Sequence, residues 1–363
     1  IFSSSFGYFL SDEFLSSLTA KESQKWIAKT AKTINESIHD HILVYVGKPL
    51  YELTTYLKTT YLEHCVPSQV SSGLAKLPIA HVYLNGNKTN QATDPYLPDG
   101  TPLNGSKAYE HMLSYFTTTN ITPDEVHALG YEMIDKLYSQ ILELARQFTN
   151  QTNNDTAKEL FHQRLYNSSD MYYQTVPIPE IESNATAHSR CRSPQDAEKY
   201  CPVRWKIMQT WFEDVNKIMS LLDGETVNMF YFTGSKHTTP NCPITPVANF
   251  NPNMGVPSYR SNVPSCLGPA RYQIPFFLSR PGPKFNQMSV NSHEARPGHH
   301  TQVQGHMEHF RDSCGGLLGW LDSITSYTAF VEGWGLYAEN PLIARDTNVY
   351  KNKPLDKYGM LRG

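Results

Sequence analysis

Thr122-Pro123-Asp124-Glu125 opens the stretch that decides the fold, and Val126, Tyr131, Met133, Ile134, Leu137, Ile141, Leu144, Ala145 and Phe148 follow it at helical spacing. The four residues have the form of a capping box. Thr122 caps the helix, Pro123 sits in the first turn where no amide partner is needed, and Glu125 reaches back to the cap. The pattern predicts one long helix ending near Asn150, with a single apolar stripe that must pack on a core.

Working outward, residues from about Asp12 to Ile42 and from about Pro49 to Cys65 mix apolar and polar positions at helical spacing. Between them and the long helix, Pro78, Pro95, Pro98, Gly100, Pro102 and Gly105 interrupt any regular element. From about Tyr172 to Pro283 the chain is rich in proline and reads as short strands and loops, with one helix around Val203 to Leu222 and a strand at Arg271 to Phe277. The expected fold is therefore mainly α with a minor β component. It divides into a helical region, 1–190, and a loop-rich segment with a helical core, 191–363, forming one continuous domain.

Composition narrows the function. The 363 residues carry a net charge of only -3 and no run of lysines and arginines, so the electrostatic footprint of a nucleic-acid binder is missing. No stretch approaches the roughly 18 apolar residues that a spanning helix needs. Acceptor sequons for N-glycans start at Asn35, Asn87, Asn104, Asn120, Asn150, Asn154, Asn167 and Asn184, all before residue 190. The chain starts at Ile1 without a basic, apolar leader, which suggests a leader already removed. Secretion, or residence in the lumen of the secretory pathway, is the expectation. Six cysteines fit that compartment, and spacing suggests bridges Cys191–Cys201 and Cys242–Cys266, leaving Cys65 with Cys314.

Five of the fourteen histidines fall between His293 and His309. His293-Glu294-Ala295-Arg296-Pro297-Gly298-His299-His300 departs from the usual zinc signature, His-Glu-x-x-His on one helix. Pro297 lacks the amide that would bond the His293 carbonyl, so an uninterrupted helix cannot run through. Two geometries follow: a straight helix would put His300 on the face of His293, whereas a kink at Pro297-Gly298 would bring His299 round. A third ligand is needed, and Glu332 is the best candidate, because a carboxylate in the mostly apolar stretch Tyr327 to Leu336 is costly to bury unless paired or metal-bound.

Three stretches together resemble the family labelled "domain of unknown function 885", which looks like a branch of the gluzincin-type zinc metallopeptidases. They are Gly105 to Gly130, the run from His293 to His300 followed by Gln302, and Glu332-Gly333-Trp334-Gly335-Leu336-Tyr337-Ala338-Glu339. The resemblance covers roughly residues 75 to 363. It implies a large helical metallopeptidase-like fold with a small sheet beside the metal site. It also implies zinc held by His293, His299 and Glu332, with Glu294 as general base. Members of the family continue into a segment bearing an arginine, an aspartate and a histidine, so a second chain or a longer protein is expected to supply it.

In that reading zinc lowers the pKa of a bound water toward roughly 7, and Glu294 takes its proton and passes it to the leaving amine. Glu339 or a backbone carbonyl would fix a histidine tautomer, while His300, Tyr272 and Tyr337 are candidates beside the metal or the substrate. A peptide is the expected substrate, and another small amide or an ester fits the same site. The rivals are a secreted scaffold that has lost catalysis and a zinc enzyme of non-hydrolytic chemistry, such as cyclisation.

Overall fold

A computed structural model describes residues 7–363 apart from 72, 174, 175, 264 and 312–314. The chain forms two compact units, Ile1–Met112 and Leu113–Gly363. In the first unit the stretch expected to be helical from Asp12 to Ile42 is broken into short helices, among them Ala20–Thr30 and Ile34–Ile42. Each is started by its own capping box, Thr19 with Glu22 and Thr33 with Glu36, and Ala31 ends the first in the left-handed region at φ 56°. A further helix, Lys48–Tyr56, is followed by wider and tighter turns to His64. Strands β1 (His81–Leu84) and β2 (Asn87–Ala92) then pair antiparallel around Asn85-Gly86, both at positive φ.

The second unit opens with α1 (Pro123–Thr149). Thr122 and Glu125 form the expected capping box, and Asn150 closes the helix at φ 52°. Its stripe is buried only toward the C-terminal end. Leu144 and Ala145 pack with Phe161 of α2 (Asn154–Leu165), and Leu137 and Ile141 are partly covered. Val126, Tyr131, Met133 and Ile134 stay exposed, so the expectation that the whole stripe meets a core is corrected. The helix is simply longer than the apolar cluster it meets. Residues 190 and 191 lie inside this unit: Ala187, Cys191, Ala197 and Cys201 share one buried cluster, so the proposed division there runs through packed core.

The centre of the unit is α3 (Pro202–Thr226), which buries Trp211 and Val215 in one cluster and Leu222 in a second. Its first turn is held by Glu182, whose carboxylate accepts from the amides of Val203 (3.2 Å) and Arg204 (2.8 Å). The buried Arg204 guanidinium donates in turn to the carbonyls of Glu182, Phe276 and Leu278 and to the Ser183 hydroxyl. This network fixes α3 to a three-stranded sheet of order β3-β5-β4, formed by β3 (Ile244–Asn249), β4 (Ser258–Arg260) and β5 (Ala270–Pro275). β5 runs parallel to β3, with Ala248 opposite Ile274, and antiparallel to β4, with Tyr259 opposite Tyr272.

Disulfides join Cys191 to Cys201 and Cys242 to Cys266. Cys65 is exposed, and its expected partner Cys314 lies outside the described residues. The asparagine of every sequon is exposed. No helix among the described residues is long and apolar enough to cross a membrane.

Trp211 links α3 to the segment that carries the histidines. Its indole stacks on Tyr172 at 4.7 Å between centroids, and its Nε1–H donates to Gln287 Oε1 at 2.7 Å in the buried interior. Trp211→Phe would leave that amide oxygen buried and unpaired, at a cost of about 1–3 kcal/mol. The urea midpoint of unfolding should fall accordingly, and an unchanged midpoint would show that the bond contributes nothing net.

Candidate metal centre

The histidine segment begins with α4 (Gln287–Glu294), a helix whose Met288 enters the second core cluster and whose last two residues are His293 and Glu294. The helix stops at Glu294, and the Arg296–Pro297 peptide is cis. The amide of His300 then bonds the Ala295 carbonyl at 3.0 Å, and the chain resumes as a wide helical turn over His300–Gln304. Gly298 makes this reversal possible. A Cβ there would lie 1.9 Å from the His293 carbonyl oxygen and 2.3 Å from that of Ser292, so only a residue without a side chain can approach the end of α4 so closely. The turn swings His299, and not His300, toward His293. Their rings meet edge to face with centroids 4.6 Å apart.

The third element is α5 (Thr328–Tyr337). Glu332 and Gly335 stand three residues apart and so share one face of it. Glu332 is exposed, against the expectation that it is buried, and its Oε2 is 3.2 Å from His293 Nε2 and 3.5 Å from His299 Nε2. One ligand atom from each of the three residues lies within 4.8 Å of the others. Gly335 is what lets α5 approach: a Cβ would fall 2.5 Å from the His293 ring. Trp334 fastens the same helix to the Pro-Gly turn, its Nε1–H donating to the carbonyls of Pro297 (2.9 Å) and Gly298 (3.2 Å).

Glu339 lies just beyond α5, and its Oε1 accepts from His293 Nδ1–H at 2.7 Å, while Ser289 donates to its other oxygen. That bond fixes the tautomer and turns the Nε2 lone pair toward Glu332 and His299. Burial alone would lower the His293 pKa, but the hydrogen bond and charge of Glu339 outweigh it and the net shift is upward. For His299 burial and the neighbouring His293 act together and the pKa falls. Burial pushes the Glu294 carboxyl up to about 7; His293 works against that shift, and Glu332 and Glu339 add to it. Glu294 Oε2 and His299 Nδ1 are buried without a hydrogen-bond partner among the described residues.

The other residues expected here lie elsewhere. His300 is fully buried, donates from Nε2 to the Cys242 carbonyl at 2.8 Å and accepts at Nδ1 from the Tyr259 hydroxyl at 3.1 Å. Burial and the charge of Arg296 depress its pKa to about 4, which keeps it neutral and structural. Tyr272 is buried in the first core cluster near Glu294, where burial and that carboxylate raise its pKa and its hydroxyl has no hydrogen-bond partner among the described residues, and Tyr337 is an exposed residue packed on Trp334. The tyrosine that lines the same open cleft of about 730 Å3 as His293, His299 and Glu332 is Tyr259 on β4. Sequence reading missed it because β4 is three residues long, too short to show alternation. Gly335 was also missed, although a Gly-x-Gly in an apolar helix is a usable sign of close packing.

Two imidazole nitrogens and one carboxylate oxygen, with an open side facing a cleft, make a donor set that a divalent ion such as zinc would suit. The residues present therefore fit such an ion, with His293 and His299 presenting Nε2 and Glu332 presenting Oε2.

No curated protein matches the chain. Among solved structures, one described as "The crystal structure of the putative lipoprotein from Colwellia psychrerythraea" is similar, with a TM-score of 0.55 at 18% identity. The likeness covers 96% of this chain and 47% of that one, so the chain spans about half the length of its structural neighbour. The family profile described as "Bacterial protein of unknown function (DUF885)" matches residues 7–363, and the chain belongs to the DUF885 family.

Proposed function

We propose that this chain is the zinc-holding part of an exported, zinc-dependent hydrolase of the gluzincin metallopeptidase kind, acting on peptide bonds. The observation that carries the reading is the convergence of three potential ligand atoms from His293, His299 and Glu332 to within 4.8 Å of one another along an open cleft. A polar trio on the surface would not need Gly298 and Gly335 to remove Cβ atoms from its packing, nor Glu339 to fix a tautomer.

A zinc ion held by these residues would lower the pKa of water toward about 7 and polarise a substrate carbonyl. The rest belongs to the chain. Glu294 lies in the same cleft with one oxygen buried and unpartnered among the described residues, placed to take a proton from the attacking water and return it to the departing amine. Glu339 keeps the proton of His293 on Nδ1, so the imidazole stays available as a ligand through the cycle. Tyr259 carries a hydroxyl at the edge of the cleft and can turn from His300 toward a developing oxyanion. Two disulfides, exposed sequon asparagines and a structural neighbour described as a putative lipoprotein support export and N-glycosylation as part of the same proposal.

The purified protein should hold one zinc per chain and cleave a mixed peptide library in a chelator-sensitive way. Glu294→Gln should reduce that cleavage by about 10²–10⁴-fold while elemental analysis finds the zinc retained. Zinc without cleavage would refute peptide-bond hydrolysis and turn the search to other amides or esters, and loss of zinc in the variant would make Glu294 a ligand. Gly335→Ala should weaken zinc binding by about 10–100-fold through displacement of His293. Gly333→Ala on the same helix, where a Cβ meets nothing within 4 Å, should leave zinc affinity unchanged. Equal affinities in the two glycine variants would show that the close approach of α5 does not set the site.

A further inference from the structure

The cleft that contains the three ligands is walled by Val256, Pro257, Val290, Val303 and Val331, and its polar groups are mostly committed. Glu339 is bonded to His293 and Ser289, and Glu332 faces the two imidazoles. One permanent cation, Arg260, lines the same space. It is exposed, and its guanidinium makes no ion pair or hydrogen bond among the described residues. Arg296, the other arginine near this turn, is by contrast engaged with the Pro240 carbonyl at 3.2 Å and with Asp223 at 3.8 Å.

Arg260 is also held on a rigid mount. It ends β4, whose backbone pairs with β5 as Arg260 opposite Arg271. The preceding residue, Tyr259, is tied to the metal turn through His300, and Ser258 contacts Gln273 at 3.4 Å. An arginine fork matches a carboxylate with two parallel hydrogen bonds and is strongest where the surroundings are apolar. An arginine that lines the cleft of the His-His-Glu trio and has no partner among the described residues is therefore suited to an anion, and to a planar one.

We infer that the substrate carries a carboxylate that Arg260 anchors while the neighbouring amide lies over His293, His299 and Glu332. This deepens the hydrolase reading and rests on it. A free C-terminal carboxylate would make the enzyme trim short peptides from the end, and an acidic side chain would place the same group within a longer one.

Three probes decide it, each measured by titration calorimetry on zinc-loaded protein whose zinc content is determined on the same sample. They are mercaptoacetyl-phenylalanyl-alanine as free acid, its C-terminal amide, and mercaptoacetyl-phenylalanyl-glutamate with only the terminal carboxyl amidated. The free acid should bind at least about tenfold more tightly than the amide, the scale of one charge-assisted hydrogen-bonded pair. Arg260→Gln should bring the acid down to the level of the amide and leave the amide unchanged, with Arg260→Lys falling between. A preference for the side-chain acid over the free acid supports the carboxylate anchor and assigns it to a side chain. Equal binding of all three to wild-type protein, or an equal loss for acid and amide in Arg260→Gln, overturns the inference while the metal reading stands. Absence of zinc from the sample overturns both.

Discussion

The contact between Gly335 and the imidazole of His293 sets the geometry on which the rest of the site depends. A bare backbone on α5 rests against the ring, and this alone lets Glu332, one turn earlier, come within 3.2 Å of His293 Nε2. The same economy operates at Gly298, where the chain folds back onto the carbonyls that end α4 and delivers His299. Trp334 joins the two approaches by bonding the carbonyls of the Pro-Gly turn from α5. Three short segments are thus brought together by two missing side chains and one indole.

Behind the His-His-Glu trio stands a structural layer of ordinary core chemistry. α3 and the β3-β5-β4 sheet are joined by the Arg204 network, and Trp211 holds the start of α4 through Gln287. On the far side His300 reaches the Cys242 carbonyl, and Glu308 accepts from the amides of Asn241 and Cys242, so the Cys242–Cys266 loop is stitched to the histidine segment. These bonds place β4, and with it Tyr259 and Arg260, along the cleft. A neutral His300 suits this role, because burial and the nearby Arg296 charge both penalise a charged imidazole there.

How far the chain could be read before its coordinates depends on what set each feature. Local chemistry was readable: the Thr122–Glu125 box, Pro123 and Asn150 bound α1 to the residue, and the strand and the helix around Val203 came out within a few positions. The capping boxes at Thr19 and Thr33 carried the same Thr-x-x-Glu signal and break the first helical stretch where they stand. Tertiary features were not readable from pattern. Spacing left His299 and His300 equal, and the resemblance favoured His299; the physical reason is the close approach of Gly298, which no periodicity displays. Tyr272 and Tyr337 were candidates by proximity in sequence, yet one is consumed by the core and the other faces solvent, while Tyr259 arrives from a strand too short to announce itself.

Membership of DUF885 and a structural neighbour twice as long leave the chemistry to be decided at the three ligands themselves. X-ray absorption at the zinc edge of the zinc-loaded protein tests that point most directly. The account predicts two imidazole nitrogens and one or more oxygens at about 2.0–2.2 Å, with no sulfur. A sulfur shell near about 2.3 Å, as the exposed Cys65 thiol would give, or a protein that retains no zinc after desalting, would contradict it.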